Sequence, residues 1–76
     1  MRNKSEISIK FGNKAREIRT KKGFSQEYLA HIANVDRTYI GMIERAERNI
    51  TLVSMEKIAN ALEVPLKDLI DFDNGK

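Results

Sequence analysis

An all-α fold of five short helices is what this sequence predicts, and three observations carry the prediction. Apolar residues recur at three- and four-residue spacing, capping residues open successive segments, and no stretch alternates apolar and polar residues as a half-buried strand would. A length of 76 residues allows one domain, expected over 1–76 with an ordered core at about 7–71. No fixed-period repeat or low-complexity linker divides it.

Residues 1–6 are polar and expected to fray. From Ile7 the pattern turns helical, with Ile7, Phe11, Ala15 and Ile18 on one stripe and Gly23 closing the helix after Lys21 and Lys22. Phe24 reads as a core residue fixing the entry to the next helix. Ser25 caps that helix, Gln26 and Glu27 fill its first turn, and Leu29, Ile32 and Ala33 form its buried stripe. Asn34 tolerates the left-handed backbone that ends a helix, and Asp36 caps a third helix through Ile40 and Ile43. The turn between them is about three residues long, so helices two and three read as a helix-turn-helix. Thr51 caps a fourth helix with Leu52, Met55, Ile58, Ala59 and Leu62 at buried spacing. Val64 and Pro65 break it, Pro65 preorganises a last short helix from Leu66 to about Asp71, and DFDNGK reads as a polar tail.

The third helix carries the functional signal. Val35, Ile40 and Ile43 can point into a core, while Arg37, Thr38, Gly41, Met42 and Arg45 share the opposite side. Arg can grip guanine O6 and N7, Thr can bond a base edge or phosphate, and Met can touch a thymine methyl, so this face suits the floor of a DNA major groove. A solvated face with one chance Met is the bland alternative, and the matched helix and turn in front of it argue against that. Beyond Glu44, the string RAERN exposes Arg45, Arg48 and Asn49; this basic corner can hold a phosphate or send Arg48 into a narrow minor groove, or be a polar loop. Lys10, Lys14, Arg16 and Lys21 on the first helix are read as a solvated face, with phosphate contact as the second reading.

Charge placement supports an anionic partner. The formal net charge is +3, but residues 1–50 hold 11 Lys or Arg against 6 Asp or Glu, and residues 51–76 hold 3 against 5. Such a field draws a polyanion with salt-dependent, sequence-independent affinity. With 41% apolar and 33% charged residues the chain reads as a globular one. No apolar run approaches the ~20 residues that span a bilayer, and the N-terminus has no continuous apolar signal segment, so no membrane and a cytoplasmic location are expected. Catalysis lacks its parts: there is no Cys, the one His, His31, reads as a surface residue, and the four glycines form no phosphate loop. No enzyme, metal or cofactor is called for.

The segments AREIRTKKGFSQEYLA, the helix-turn-helix and LVSMEKIANALEVPLKDLI together resemble the five-helix DNA-binding domain of the phage-repressor family, the Xre-like or lambda-repressor-like fold, over roughly residues 9–71. NVDRTYIGMIERAERNITLVSMEKI is similar, more narrowly, to the controller proteins of bacterial restriction-modification systems. Those are small dimeric regulators that bind operators near their own gene, activating transcription and repressing it at higher occupancy. The resemblance implies base-edge contact by Arg37, base or backbone contact by Thr38, base or phosphate contact by Tyr39, and central-operator contact by Arg48 or Asn49. It implies phosphate contact by Gln26, places Met42 where repressors of the wider family often carry a reading residue, and pairs Arg19 with Glu44 as a structural ion pair.

The same resemblance leads to the expectation of a homodimer on a pseudo-palindromic double-stranded DNA operator, with Leu66, Leu69 and Ile70 divided between monomer core and partner, and with RNA polymerase as a partner when activating. Closure of the monomer core by all three is the other reading of those residues. A phage-type repressor, or an antitoxin or adaptor whose main partner is a protein, is the alternative.

Overall fold

The computed structural model describes residues 5–71. The expected polar stretch 1–4 and the tail 72–76 lie outside them. Five helices follow in order: α1 (Glu6–Lys21), α2 (Gln26–Ala33), α3 (Arg37–Glu44), α4 (Leu52–Leu62) and α5 (Leu66–Ile70). No strand occurs among the described residues, and none of their helices is long and apolar enough to cross a membrane.

Side-chain caps start four of the helices. The hydroxyls of Ser5, Ser25 and Thr51 and the carboxylate of Asp36 accept hydrogen bonds from the backbone N–H groups of Ser8, Tyr28, Ser54 and Thr38, satisfying donors that a helix start leaves open. Ser5 thus caps α1 and Glu6 opens it, so the helix starts one residue before Ile7; the rest of the stretch expected to fray lies outside the described residues. At the other end, α1 to α4 close in one way. Gly23, Asn34, Ala46 and Glu63 each take a left-handed φ, and the residue after each donates its N–H back to the helix: Phe24 to Arg19, Val35 to Ala30, Glu47 to Met42 and Val64 to Ala59. This is the Schellman closure, in which an apolar contact by the last of these residues commonly accompanies the two hydrogen bonds. Phe24, Val35 and Val64 do pack against the core; Glu47 is exposed.

The core gathers on Phe11, Leu29, Ile40, Ile58, Leu62 and Leu69, all fully buried. Each such side chain contributes ~1.5–3 kcal/mol relative to remaining in water. α3 is held between α1 and α2, α4 packs on α2, and α5 closes the bundle against α1 and α4. Three residues expected inside are outside: Ile7 is 60% exposed, Ile32 37% and Leu52 75%. Each sits at the edge of its helix's apolar stripe, and the buried positions go to Phe11 and Ala15 on α1, to Leu29, Ala30 and Ala33 on α2, and to Ile58, Ala59 and Leu62 on α4.

α1 reaches α3 closely at one point. A Cβ added to Gly12 would overlap the Ile43 carbonyl oxygen and lie 3.0 Å from that of Glu44. The glycine therefore admits the C-terminal turn of α3 directly against the α1 backbone.

Candidate nucleic-acid interface

The orientation of α3 rests on polar ties at its C-terminal end. Arg19 donates from Nε to Glu44 Oε2 at 2.7 Å and from Nη2 to Oε1 at 3.0 Å, and its Nη1 donates to the Phe24 carbonyl at 2.8 Å. Gln26 Nε2 adds a third hydrogen bond to Glu44, at 3.0 Å. The two charged side chains are 11% and 4% exposed, so one ion pair fastens α1, the entry to α2 and the end of α3 together. Gln26, expected at phosphate, has at least one of its amide protons committed to this network.

At the other end of α3 the turn is short. Asn34 has φ 60° and ψ 47°, and Asp36 accepts the Thr38 N–H at 3.2 Å. The second helix starts immediately after the first has closed, and α3 lies across the surface with Ile40 and Ile43 in the core. Arg37 and Thr38 are exposed at its N-terminal end, and Met42 and Tyr39 are half-buried. Gly41 departs from the expectation of an open face: it is buried, beneath the side chains of Arg45 and Gln26.

The basic corner is organised by α3 itself. Arg48 Nη1 lies 3.8 Å from Met42 Sδ, and its guanidinium stands 5.9 Å from the centre of the Tyr39 ring, within cation–π range. Thr38, Tyr39, Met42 and Arg48 border an open depression that Ser54 and Lys57 of α4 complete. Sequence reasoning missed these α4 residues, because their helix was assigned only by its buried stripe. It also missed the partner of Arg45: Glu47 accepts from Nε at 3.0 Å and from Nη2 at 3.1 Å. This hydrogen-bonded carboxylate, and then its charge, push the Arg45 pKa up from its ordinary value. Asn49 Oδ1 accepts from the Ser8 hydroxyl at 3.5 Å, a long tie between the loop and α1. On α1 itself, Lys10 pairs with Glu6, and Lys14 and Lys21 with Glu17, which fits a solvated face.

A helix-turn-helix family model matches residues 16–69, which takes in the C-terminal part of α1, all of α2, α3 and α4, and most of α5. The chain belongs to the helix-turn-helix family. Within this family it falls with the restriction-modification control proteins. It is 49% identical over 69 residues to the control protein C.BamHI of Bacillus amyloliquefaciens, covering 90% of this chain and 85% of that one. To C.MunI of a Mycoplasma species it is 42% identical over 66 residues, covering 86% and 89%. The crystal structure of the restriction-modification controller protein C.AhdI from Aeromonas hydrophila superposes with a TM-score of 0.80 at 47% identity, over 82% of this chain and 94% of that one. The helix-turn-helix of this controller relative is α2, the Asn34–Asp36 turn and α3, and the five-helix expectation agrees with its family fold.

Of the apolar residues expected at a partner surface, Leu69 is fully enclosed in the monomer and Leu66 packs partly against the core. Ile70 is 43% exposed beside an apolar groove lined by Ile7, Phe11, Ile50 and Met55.

Proposed function

We propose that this transcriptional regulator of the controller type binds, as a homodimer, a pseudo-palindromic DNA operator near its own gene, in the cytoplasm. The observation that carries the reading is the placement of Arg37 and Thr38, exposed at the first turn of α3, with Thr38 and Arg48 bordering one open depression. A recognition helix reads base edges chiefly from its N-terminal residues, and the cations behind it set register on phosphates. Arg37 reads a guanine, Thr38 and Tyr39 contact a base or the backbone, and Met42 offers a thymine methyl an apolar surface. Arg45, Arg48, Asn49 and Gln26 hold the backbone, with Arg48 leaving Met42 and Tyr39 to reach the central operator. Two copies place their α3 helices in successive major grooves with half-sites about 10 bp apart. The protein acts by binding, without catalysis or cofactor, and contacts RNA polymerase when it activates.

A gel shift decides the reading. DNA from immediately upstream of the protein's own gene is compared with random duplex at two salt concentrations. Tight binding with a large preference for the upstream fragment is expected; equal, salt-weakened binding to both leaves only the electrostatic attraction and removes the operator.

A further inference from the structure

Four helices close with the same backbone geometry, and three of them use the residue after the left-handed one to reach the core: Phe24, Val35 and Val64. In α3 that residue is Glu47, a carboxylate on a surface proposed to face a polyanion. Its charge alone opposes DNA binding. Its geometry gives it another role. Residues two apart on a helix do not face each other, but Ala46, at φ 60°, reverses the chain between Arg45 and Glu47 and brings both side chains to one side. The carboxylate then grips Nε and Nη2 of Arg45 in a two-point fork, at 3.0 and 3.1 Å. The remaining amino nitrogen, Nη1, lies over Gly41, 3.0 Å from where a Cβ would stand. Glu47 thus holds one edge of the half-exposed guanidinium, and the missing side chain of Gly41 leaves room for the other against the recognition helix near Gln26.

We infer that Glu47 is a positioning residue for DNA recognition, holding Arg45 over Gly41 so that its phosphate contact forms only when α3 sits in register on the operator. The inference rests on the proposed DNA binding. A held guanidinium adds affinity at the correct register and little elsewhere. A released one, on a surface with one negative charge fewer, meets any phosphate. Removing Glu47 therefore lowers affinity for the operator and raises it for random DNA.

The test measures binding of the full chain to the upstream fragment and to random duplex by fluorescence anisotropy, with melting temperatures alongside. Glu47→Gln removes the charge and Glu47→Asp only the reach, and both are expected to lower the upstream-to-random ratio by at least about fivefold. In an Arg45→Ala background neither change moves the ratio further, which a structural role or simple repulsion would not produce. Equal tightening on both duplexes by Glu47→Gln, with Glu47→Asp like the wild type, overturns the positioning role in favour of plain charge repulsion. A fall in the ratio that persists in the Arg45→Ala background overturns it as well. Gly41→Ala serves where a Glu47 variant melts early: its methyl displaces the flexible guanidinium while favouring the helix, so the same loss of ratio is expected without loss of melting temperature, and a retained ratio overturns the inference. Wild-type protein that shows no preference for the upstream fragment removes the proposed operator, and the positioning role with it.

Discussion

Arg19 and Glu44 meet through two parallel hydrogen bonds, and their ion pair joins α1 to the last turn of the helix that carries the proposed reading residues. Nearly enclosed, the pair has lost much of its hydration, so it need not stabilise the fold relative to a well-packed apolar pair. Deleting one partner is a different matter. Arg19→Ala leaves the Glu44 carboxylate with only Gln26 and frees the Phe24 carbonyl, and is expected to cost ~3–5 kcal/mol. Such a variant loses DNA binding by loosening α3, not by removing a contact. Thermal melting checks this: an unchanged melting temperature alongside lost binding would assign Arg19 to the DNA.

Gly12 and Gly41 are both helical glycines, yet they respond oppositely to a methyl group. At Gly12 the obstacle is the backbone of Ile43 and Glu44, which cannot turn aside. Overpacking of this kind costs ~1–3 kcal/mol, against a gain of ~1 kcal/mol in helix propensity, so Gly12→Ala destabilises by up to ~2 kcal/mol. At Gly41 the obstacle is the end of an arginine side chain, which can move. Urea titration of the two alanine variants should move the midpoints in opposite directions.

The same contrast explains what the sequence could announce. Capping at Ser25, Asp36 and Thr51, the left-handed Asn34 and the five-helix order are legible because they depend on residues within one turn of each other. Ile7, Ile32 and Leu52 misled because three- and four-residue spacing fits two adjoining stripes, and only the neighbouring helix decides which is covered. Gly12 and Gly41 show their purpose only once the opposing backbone or side chain is in place. Glu47 was hidden for a related reason: its pairing with Arg45 depends on a left-handed alanine, a residue type that does not advertise that conformation. Arg37 and Thr38, by contrast, stand on the exposed face where the helical period put them.

Glu63 holds the left-handed position that closes α4, with φ 60°, and its side chain is exposed. A residue with a Cβ pays ~1–2 kcal/mol for that conformation, while glycine adds ~0.5–1 kcal/mol of unfolded-state entropy. Glu63→Gly is therefore expected to stabilise by up to ~1.5 kcal/mol. Differential scanning calorimetry measures the gain, and because Glu63 is not among the residues that border the candidate interface, upstream-DNA affinity should stay unchanged.

Arg37 is the residue whose loss should alter sequence preference most directly. Arg37→Ala is expected to cost ~1–3 kcal/mol on the operator and to flatten preference at one base pair, with a smaller change on random duplex. Binding to a set of operators substituted one position at a time locates the base pair. An equal loss on every duplex would make Arg37 a phosphate contact, and reading would then fall to Thr38 and Tyr39.

Leu69 and Ile70 are adjacent in α5 and separate the core from the proposed partner surface. Leu69, with 0% exposure, belongs to the monomer, and Leu69→Ala should cost ~2–5 kcal/mol whatever the oligomeric state. Ile70 stands at the apolar groove with Ile7, Ile50 and Met55, and its exposed part is free of the fold's own packing demands. Ile70→Lys should leave helical content in place and convert the proposed dimer to monomer in sedimentation velocity. Because a chain of 76 residues has a small core, loss of the partner should also lower the melting temperature and remove its dependence on protein concentration. A dimer that survives Ile70→Lys would move the proposed interface off this groove, while a monomer that binds the upstream fragment as tightly as wild type would separate operator recognition from pairing.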